Sequence, residues 1–110
     1  MAYDEELANR IREVLGDEPG VRERKMFGGL AFLIGGNLAI TASRHGGLML
    51  RADPARSDRL VATSVAEPVV MQGREMRGWL YVEPEGVRTM RQLRRWVGVG
   101  ADYARTLPPK

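Results

Sequence analysis

Two kinds of hydrophobic spacing divide the chain into helices and strands. Near the amino terminus, apolar residues recur every three or four positions, so we expect an amphipathic helix from about Asp4 to Leu15. Further along, short runs rich in Phe, Leu, Val and Ile are separated by glycine and asparagine, a pattern typical of strands joined by tight turns. The chain therefore combines surface helices with an antiparallel sheet.

The most informative segment runs from Lys25 to Ile40. The triplet Gly35-Gly36-Asn37 separates two apolar runs there, and it predicts a hairpin turn because Gly and Asn accept a positive φ. The pair Gly28-Gly29 lies where a strand is expected, although glycine weakens strand packing and costs backbone entropy. We therefore expect a bend, a β-bulge or a close approach of another segment at Gly28-Gly29.

Four further elements follow this hairpin. Alternating apolar and polar residues predict a third strand from Gly47 to Ala52. Asp53-Pro54 combines a helix cap with a proline in the first turn, which predicts a short helix through about Thr63. The runs Val69–Met71 and Trp79–Val82 have the composition of two more strands.

A final amphipathic helix is predicted to start near Pro84. At 100° per residue, its apolar face carries Met90, Leu93, Val97, Ala101 and Ala104, and its polar face carries Arg88, Arg91, Arg95 and Asp102. We expect a bend or break at Gly98 and Gly100, because glycine destabilises a helix interior. The tail from Pro108 to Lys110 is expected to fray.

These elements predict an α+β fold with two layers. The order is α-β(3)-α-β(2)-α, and the antiparallel sheet has about five strands with helices covering one face. A chain of 110 residues can bury one core, so we expect a single domain over residues 1–110.

Several motifs resemble one known family. Lys25-Met26-Phe27-Gly28-Gly29, leading into the hairpin, closely resembles the opening motif of the TfoX (Sxy) N-terminal domain, a family named for bacterial competence regulators. Supporting similarity lies in Gly47–Asp53, Trp79–Pro84 and Leu93–Val97. The resemblance implies the same α-β(3)-α-β(2)-α fold and a regulatory role. Full-length competence regulators carry a second, helical domain after this one, so a direct role in DNA uptake is not expected where the sequence stops here.

Charge is unevenly distributed along the chain. Residues 1–20 carry six acids and two bases, a net −4, whereas residues 86–110 carry six bases and one acid, a net +5. One interpretation is a nucleic-acid surface on the last helix, with Arg88, Arg91 and Arg95 on phosphates and Trp96 and Tyr103 stacking on bases. The other is an acidic first helix lying beside a basic last helix.

Residues for catalysis or metal binding are scarce. There is no cysteine, and the single histidine, His45, lies in a glycine-rich turn without a nucleophile motif or metal-ligand spacing, so no cofactor, metal or catalytic residue is predicted. The acidic amino terminus is unlike a signal peptide, and no apolar run is long enough to span a bilayer, so we expect a cytoplasmic protein without membrane contact.

The primary functional hypothesis is a non-enzymatic regulatory domain that binds another protein. Its candidate interaction residues are Lys25, Met26, Phe27, Gly28 and Gly29. The alternative is a nucleic-acid-binding accessory that uses the final helix, and the third hypothesis is a small-molecule or enzymatic pocket between helices and sheet. An exposed sheet edge also leaves a homodimer open.

Overall fold

One antiparallel sheet forms the centre of the molecule. The computed structural model describes residues 3–110. Within that range the helices are α1 (Glu5–Leu15), α2 (Pro54–Thr63) and α3 (Met90–Thr106), with a 3-10 turn at Pro84–Val87. The six strands are β1 (Val21–Met26), β2 (Gly29–Ile34), β3 (Asn37–Ala42), β4 (Leu48–Arg51), β5 (Glu67–Met71) and β6 (Arg74–Val82). Their order in the sheet is β1-β2-β3-β4-β6-β5.

The helices bury one hydrophobic core against the sheet. Helix α3 crosses the central strands β2, β3 and β4, α1 packs against α3, and α2 packs against β6. The largest fully buried side chains include Trp96 and Ile11 from the helices and Phe32 and Ile40 from the sheet. The predicted α+β class is therefore confirmed.

The first two helices begin where the sequence predicts. The Asp4 carboxylate accepts hydrogen bonds from the amides of Glu6 (2.9 Å) and Leu7 (3.2 Å), so it caps α1. The Asp53 carboxylate accepts one from the Ala55 amide at 2.9 Å, and Pro54 occupies the first turn of α2. Both caps are local features, which explains why they can be predicted from short sequence patterns.

The turn between β2 and β3 also matches its prediction. Gly35 and Gly36 both have positive φ, +60° and +84°, and they connect the paired residues Ile34 and Asn37. The predicted fraying of the tail is wrong, however. The Lys110 amide donates to the Gly35 carbonyl at 2.8 Å, and the Asn37 side-chain amide donates to the Pro108 carbonyl at 3.0 Å.

The prediction of a β-bulge or bend at Gly28-Gly29 needs correction. The chain reverses completely at Phe27-Gly28, where φ is +55° and +75°, so a sixth strand, β1, precedes β2. The expected close approach is real: a Cβ on Gly29 would clash with the Ala42 carbonyl oxygen of β3. The register shift in this part of the sheet instead falls between Phe32 and Leu33.

The final helix differs from its prediction at its start and in its continuity. It begins at Met90 after a capping box, in which the Gln92 amide donates to the Thr89 hydroxyl (3.1 Å) and the Thr89 amide donates to the Gln92 side chain (2.9 Å). The helix continues unbroken to Thr106. Gly100 has a packing role, because a Cβ there would clash with the Ala39 carbonyl oxygen, whereas Gly98 faces open space.

Candidate functional site

The predicted interaction residues come together at one end of the sheet. Lys25, Met26, Phe27, Gly28 and Gly29 form the tip of the β1–β2 hairpin, and we call them the tip surface. Together with Tyr3 and Glu5 they line a depression of about 510 Å³. Lys25, Phe27 and Gly28 are exposed, whereas Met26 is half-buried and Gly29 is buried, so the motif is only partly available to a partner.

Phe27 is the most unusual residue of the tip surface. Its side chain is 56% exposed, and its φ of +55° places it in the left-handed region. For a non-glycine residue that conformation costs about 1–2 kcal/mol. Strain of this kind persists where the surrounding structure imposes it, and it is concentrated at functional sites. The observed strain therefore motivates a functional hypothesis for this tip.

Gly28 connects the tip surface to a second turn. A Cβ on Gly28 would lie 2.8 Å from Cδ of Arg44, because the aliphatic part of Arg44 packs across the hairpin turn. Arg44 itself belongs to the turn between β3 and β4. Glycine at position 28 thus adopts the positive φ of the turn and also leaves room for the Arg44 side chain.

A groove lies on the sheet face opposite α3. Thr41, Met49 and Tyr81 are adjacent in register across β3, β4 and β6, and they form its floor. The cavity measures about 460 Å³, and we call it the sheet groove. Its remaining lining residues are Phe27 of the tip surface, Ser43, Arg44 and His45 of the β3–β4 turn, and Glu67, Pro68, Val69, Val70 and Met71 of β5.

The floor of the sheet groove is poorly solvated. Burial raises the pKa of the Tyr81 phenol, the charge of Glu83 raises it further, and the Gly47 backbone and Ser43 hydroxyl act in the opposite direction. Thr41 is 1% exposed. Its hydroxyl is the one buried side-chain polar atom among residues 3–110 that has no hydrogen-bond partner.

The candidate nucleic-acid residues are only partly arranged as predicted. Arg88, Arg91 and Arg95 are all exposed, although Arg88 precedes α3 instead of belonging to it. Trp96 is 1% exposed, so the prediction that it stacks on bases is wrong. The angle of a residue on an isolated helix does not show which flank is covered, and in the fold Trp96 lies in the core formed by the helices and the sheet.

The opposite charges at the two ends of the chain meet in the fold. Helix α1 packs against α3, as the second interpretation of the charge distribution predicts. Arg105 of α3 forms salt bridges with Glu18 and with Asp102. The Arg10 guanidinium of α1 donates to the carbonyls of Val87 (2.9 Å) and Arg88 (2.8 Å), just before α3.

The described residues contain little that suggests catalysis. His45 is exposed, and its Nε2 lies 3.4 Å from Nε of the neighbouring Arg44. Within residues 3–110, no group of three or more His, Cys, Asp or Glu side chains is placed to hold a metal ion. None of the helices in this range has the length and apolar character needed to cross a bilayer.

Comparison with known proteins places the chain in a family. The fold is a small α+β domain with one antiparallel sheet and a strained hairpin tip. The family model described as the TfoX N-terminal domain matches residues 13–104, which is most of the chain. The protein belongs to the TfoX N-terminal domain family. No curated protein and no solved structure gave a significant match.

Proposed function

We propose that the protein is a non-enzymatic regulatory domain that binds another protein through the tip surface. Membership of the TfoX N-terminal domain family supports a regulatory domain. The observation that carries the proposal is the exposure of Phe27, a residue with a left-handed backbone conformation in the hairpin turn. Phenylalanine and methionine, as at positions 27 and 26, are enriched in the buried centres of protein interfaces.

The proposal is tested by capturing the partner at the tip. Phe27 is replaced by the photo-crosslinking residue p-benzoylphenylalanine in cells that express the protein at its native level. We expect one specific adduct, because a partner that covers the ring lies within reach of the crosslinker. Val65 provides the matched control, since it is 63% exposed but outside the tip surface.

The pattern of adducts decides between the outcomes. The same adducts at both positions, or none from position 27, would contradict the proposal. An adduct of twice the mass of the chain would identify the partner as a second copy. Fractionation of the same cells also tests the cytoplasmic location that belongs to this proposal.

The second candidate function is nucleic-acid binding through Arg88, Arg91 and Arg95. The observation in its favour is that all three are exposed and that none forms a salt bridge within the described part of the chain. Arginines without a carboxylate partner are free to contact phosphates. This hypothesis predicts binding that weakens steeply with salt.

That candidate is tested by measuring binding to duplex and single-stranded DNA from about 50 mM salt upward. Changing the three arginines to Gln should reduce the slope of log affinity against log salt by about 3, one for each lost phosphate contact. The triple variant Arg56→Gln, Arg59→Gln and Arg74→Gln removes the same charge from exposed positions elsewhere. Equal effects of the two triple variants, or no binding at low salt, would eliminate this function.

A further inference from the structure

The sheet groove has the volume of a small-ligand site. Its volume of about 460 Å³ lies within the range of about 300–1,000 Å³ that is typical of such sites. Two hairpins border it: β1–β2, which turns at Phe27-Gly28, and β5–β6, which turns at Gln72-Gly73. The groove shares only Phe27 with the depression at the tip surface.

One hydroxyl group on the floor of the groove has no hydrogen-bond partner among the described residues. Buried hydroxyl groups in folded proteins nearly always have a partner, and leaving one without a partner destabilises the protein. The Thr41 hydroxyl, at the β3 side of the floor, has none among residues 3–110. A polar ligand atom that reached Thr41 would supply the missing partner.

Methionines make that approach feasible. Thr41 is almost fully covered, so a ligand reaches it only if neighbouring side chains move. Met49 lies next to it on β4, and Met71 forms part of the β5 wall. The unbranched thioether side chain of methionine adapts to irregular apolar ligands at little cost. With Val70 and Phe27, these residues offer a deformable apolar surface.

The charged residues that line the groove indicate which ligand charge it would bind. Arg44 lines the groove and forms no salt bridge in the described part of the chain, and His45 lies beside it. Glu67 is the one acidic residue in the lining. It lies on β5, which is separated from β3 and Thr41 by the two strands β4 and β6. An anionic group is therefore favoured at the Arg44 side and disfavoured near Glu67.

We propose that the sheet groove binds a small amphipathic organic anion. The apolar body of the ligand contacts Met49, Met71 and Val70, and its carboxylate or sulfonate lies next to Arg44. A polar atom of the ligand accepts or donates the hydrogen bond that Thr41 lacks. The ligand is a free small molecule, so the site does not require the proposed protein partner, although Phe27 of the tip surface also lines the groove.

The first test uses two dyes that differ in charge. The probe 8-anilinonaphthalene-1-sulfonate has an aromatic body and an anionic sulfonate, and N-phenyl-1-naphthylamine has the same body without the charge. We expect the sulfonate probe to bind one site and to raise the melting temperature of the folded protein. We expect the neutral probe to bind more weakly, by about two- to five-fold, as for the loss of one partly exposed ion pair.

The position of the bound probe is read from methionine methyl signals in NMR spectra. With 13C-methyl methionine, the sulfonate probe should shift the signals of Met49 and Met71. Met76 is the matched control, because it is exposed but lies outside the sheet groove. Shifts confined to Met76, or no saturable shift at Met49 and Met71, would overturn the proposal.

Variants test the charge and the hydroxyl separately. Arg44→Gln should weaken the sulfonate probe about two- to five-fold and leave the neutral probe unchanged, whereas Arg44→Lys and the exposed control Arg59→Gln should retain affinity. Thr41→Val should raise the melting temperature of the free protein, because it removes a buried hydroxyl without a partner. A lower melting temperature for Thr41→Val would show that the hydroxyl is already bonded, and an Arg44→Gln variant that still prefers the sulfonate probe as strongly as the unmodified protein would contradict the anion site.

A protein occupant gives a different result. If neither dye binds, but the partner captured at Phe27 shifts Met49 and Met71, the sheet groove is part of the protein interface and the small-anion proposal is wrong. If the dyes bind as expected and no partner is captured, only the proposed function fails. The two proposals therefore fail independently.

Discussion

Phe27 combines a backbone conformation that is unfavourable for phenylalanine with an exposed aromatic ring. Its backbone conformation suits Gly or Asn, and the following Gly28 would complete an Asn-Gly turn of the kind favoured in hairpins. Its exposed ring contributes little burial to the domain. Gln72 adopts the same left-handed conformation in the turn of the β5–β6 hairpin, so the exposed aromatic ring, more than the turn geometry, is what motivates the proposed contact with a partner.

Two substitutions at this position separate strain from contact. Phe27→Asn and Phe27→Ala both remove the ring, but only Asn adopts a positive φ readily. We therefore expect Phe27→Asn to be more stable than Phe27→Ala by about 1 kcal/mol in urea unfolding. Both variants should lose the partner equally. Equal stability of the two variants would show that the left-handed conformation is not present in solution.

Gly98 and Gly100 provide a matched pair in one helix. Gly98→Ala should raise the free energy of unfolding by about 1 kcal/mol, because a Cβ there meets open space and alanine favours helix. Gly100→Ala should lower it by about 2 kcal/mol, because its Cβ would force α3 away from the Ala39 carbonyl of β3. Chemical denaturation of both variants checks the opposite signs, and effects of the same sign would contradict the packing of α3 on β3.

The same glycines show the limit of residue-level prediction. Gly98 and Gly100 have the same helix propensity, so an argument from propensity predicts a break at either one. The helix continues because it packs on β2, β3 and β4, and that packing outweighs the propensity of two residues. Only the neighbouring strand distinguishes the two glycines.

The start of α3 is set by local capping interactions. Thr89 and Gln92 form a reciprocal capping box, and the preceding 3-10 turn includes Pro84. Thr89→Ala should therefore lower the free energy of unfolding by about 1 kcal/mol, whereas Thr89→Ser keeps the cap and should change it by less. Thermal unfolding of the two variants measures the difference. If Thr89→Ser lowered the free energy of unfolding as much as Thr89→Ala, the stabilisation would come from the methyl group of threonine and not from the cap.

Strand β1 is the element that hydrophobic patterning misses. Its sequence from Val21 to Met26 has charged residues at its four central positions, all of them exposed. An edge strand needs no continuous apolar face, and charge along it discourages pairing with other chains. The strand therefore exists because β2 offers a partner for its backbone, which apolar periodicity does not detect.

At the scale of the whole molecule, two ion pairs between distant segments depend on pH. Arg105 lowers the pKa of Glu18 below its usual 4.5, and Arg12 of α1 does the same for Glu23 of β1. A carboxylate with a lowered pKa in the fold binds fewer protons than in the unfolded chain. The stabilisation is thus complete above about pH 4.5 and is lost as the pH falls through the folded-state pKa.

We expect a modest effect, because both pairs are partly exposed. Glu18→Gln should lower the free energy of unfolding at pH 7 by about 0.2–1 kcal/mol, and the difference from the unmodified chain should shrink at acid pH and in high salt. Urea unfolding between pH 3 and pH 7 checks this. Glu85→Gln, at an exposed position without a salt bridge among the described residues, is the control. A difference that grows on acidification would contradict the assigned sign.

The α+β class, the caps at Asp4 and Asp53, the turn at Gly35-Gly36 and the family motif can all be predicted from the amino-acid sequence alone. These features depend on residues a few positions apart, so periodicity and turn chemistry are sufficient to predict them. Three features depend on contacts between distant segments: β1 is a separate strand, Trp96 is buried, and the Thr41 hydroxyl on the groove floor has no partner among residues 3–110. Strand pairing alone brings together the separate segments that line the groove, and Trp96 joins a core that forms only when the helices pack on the sheet.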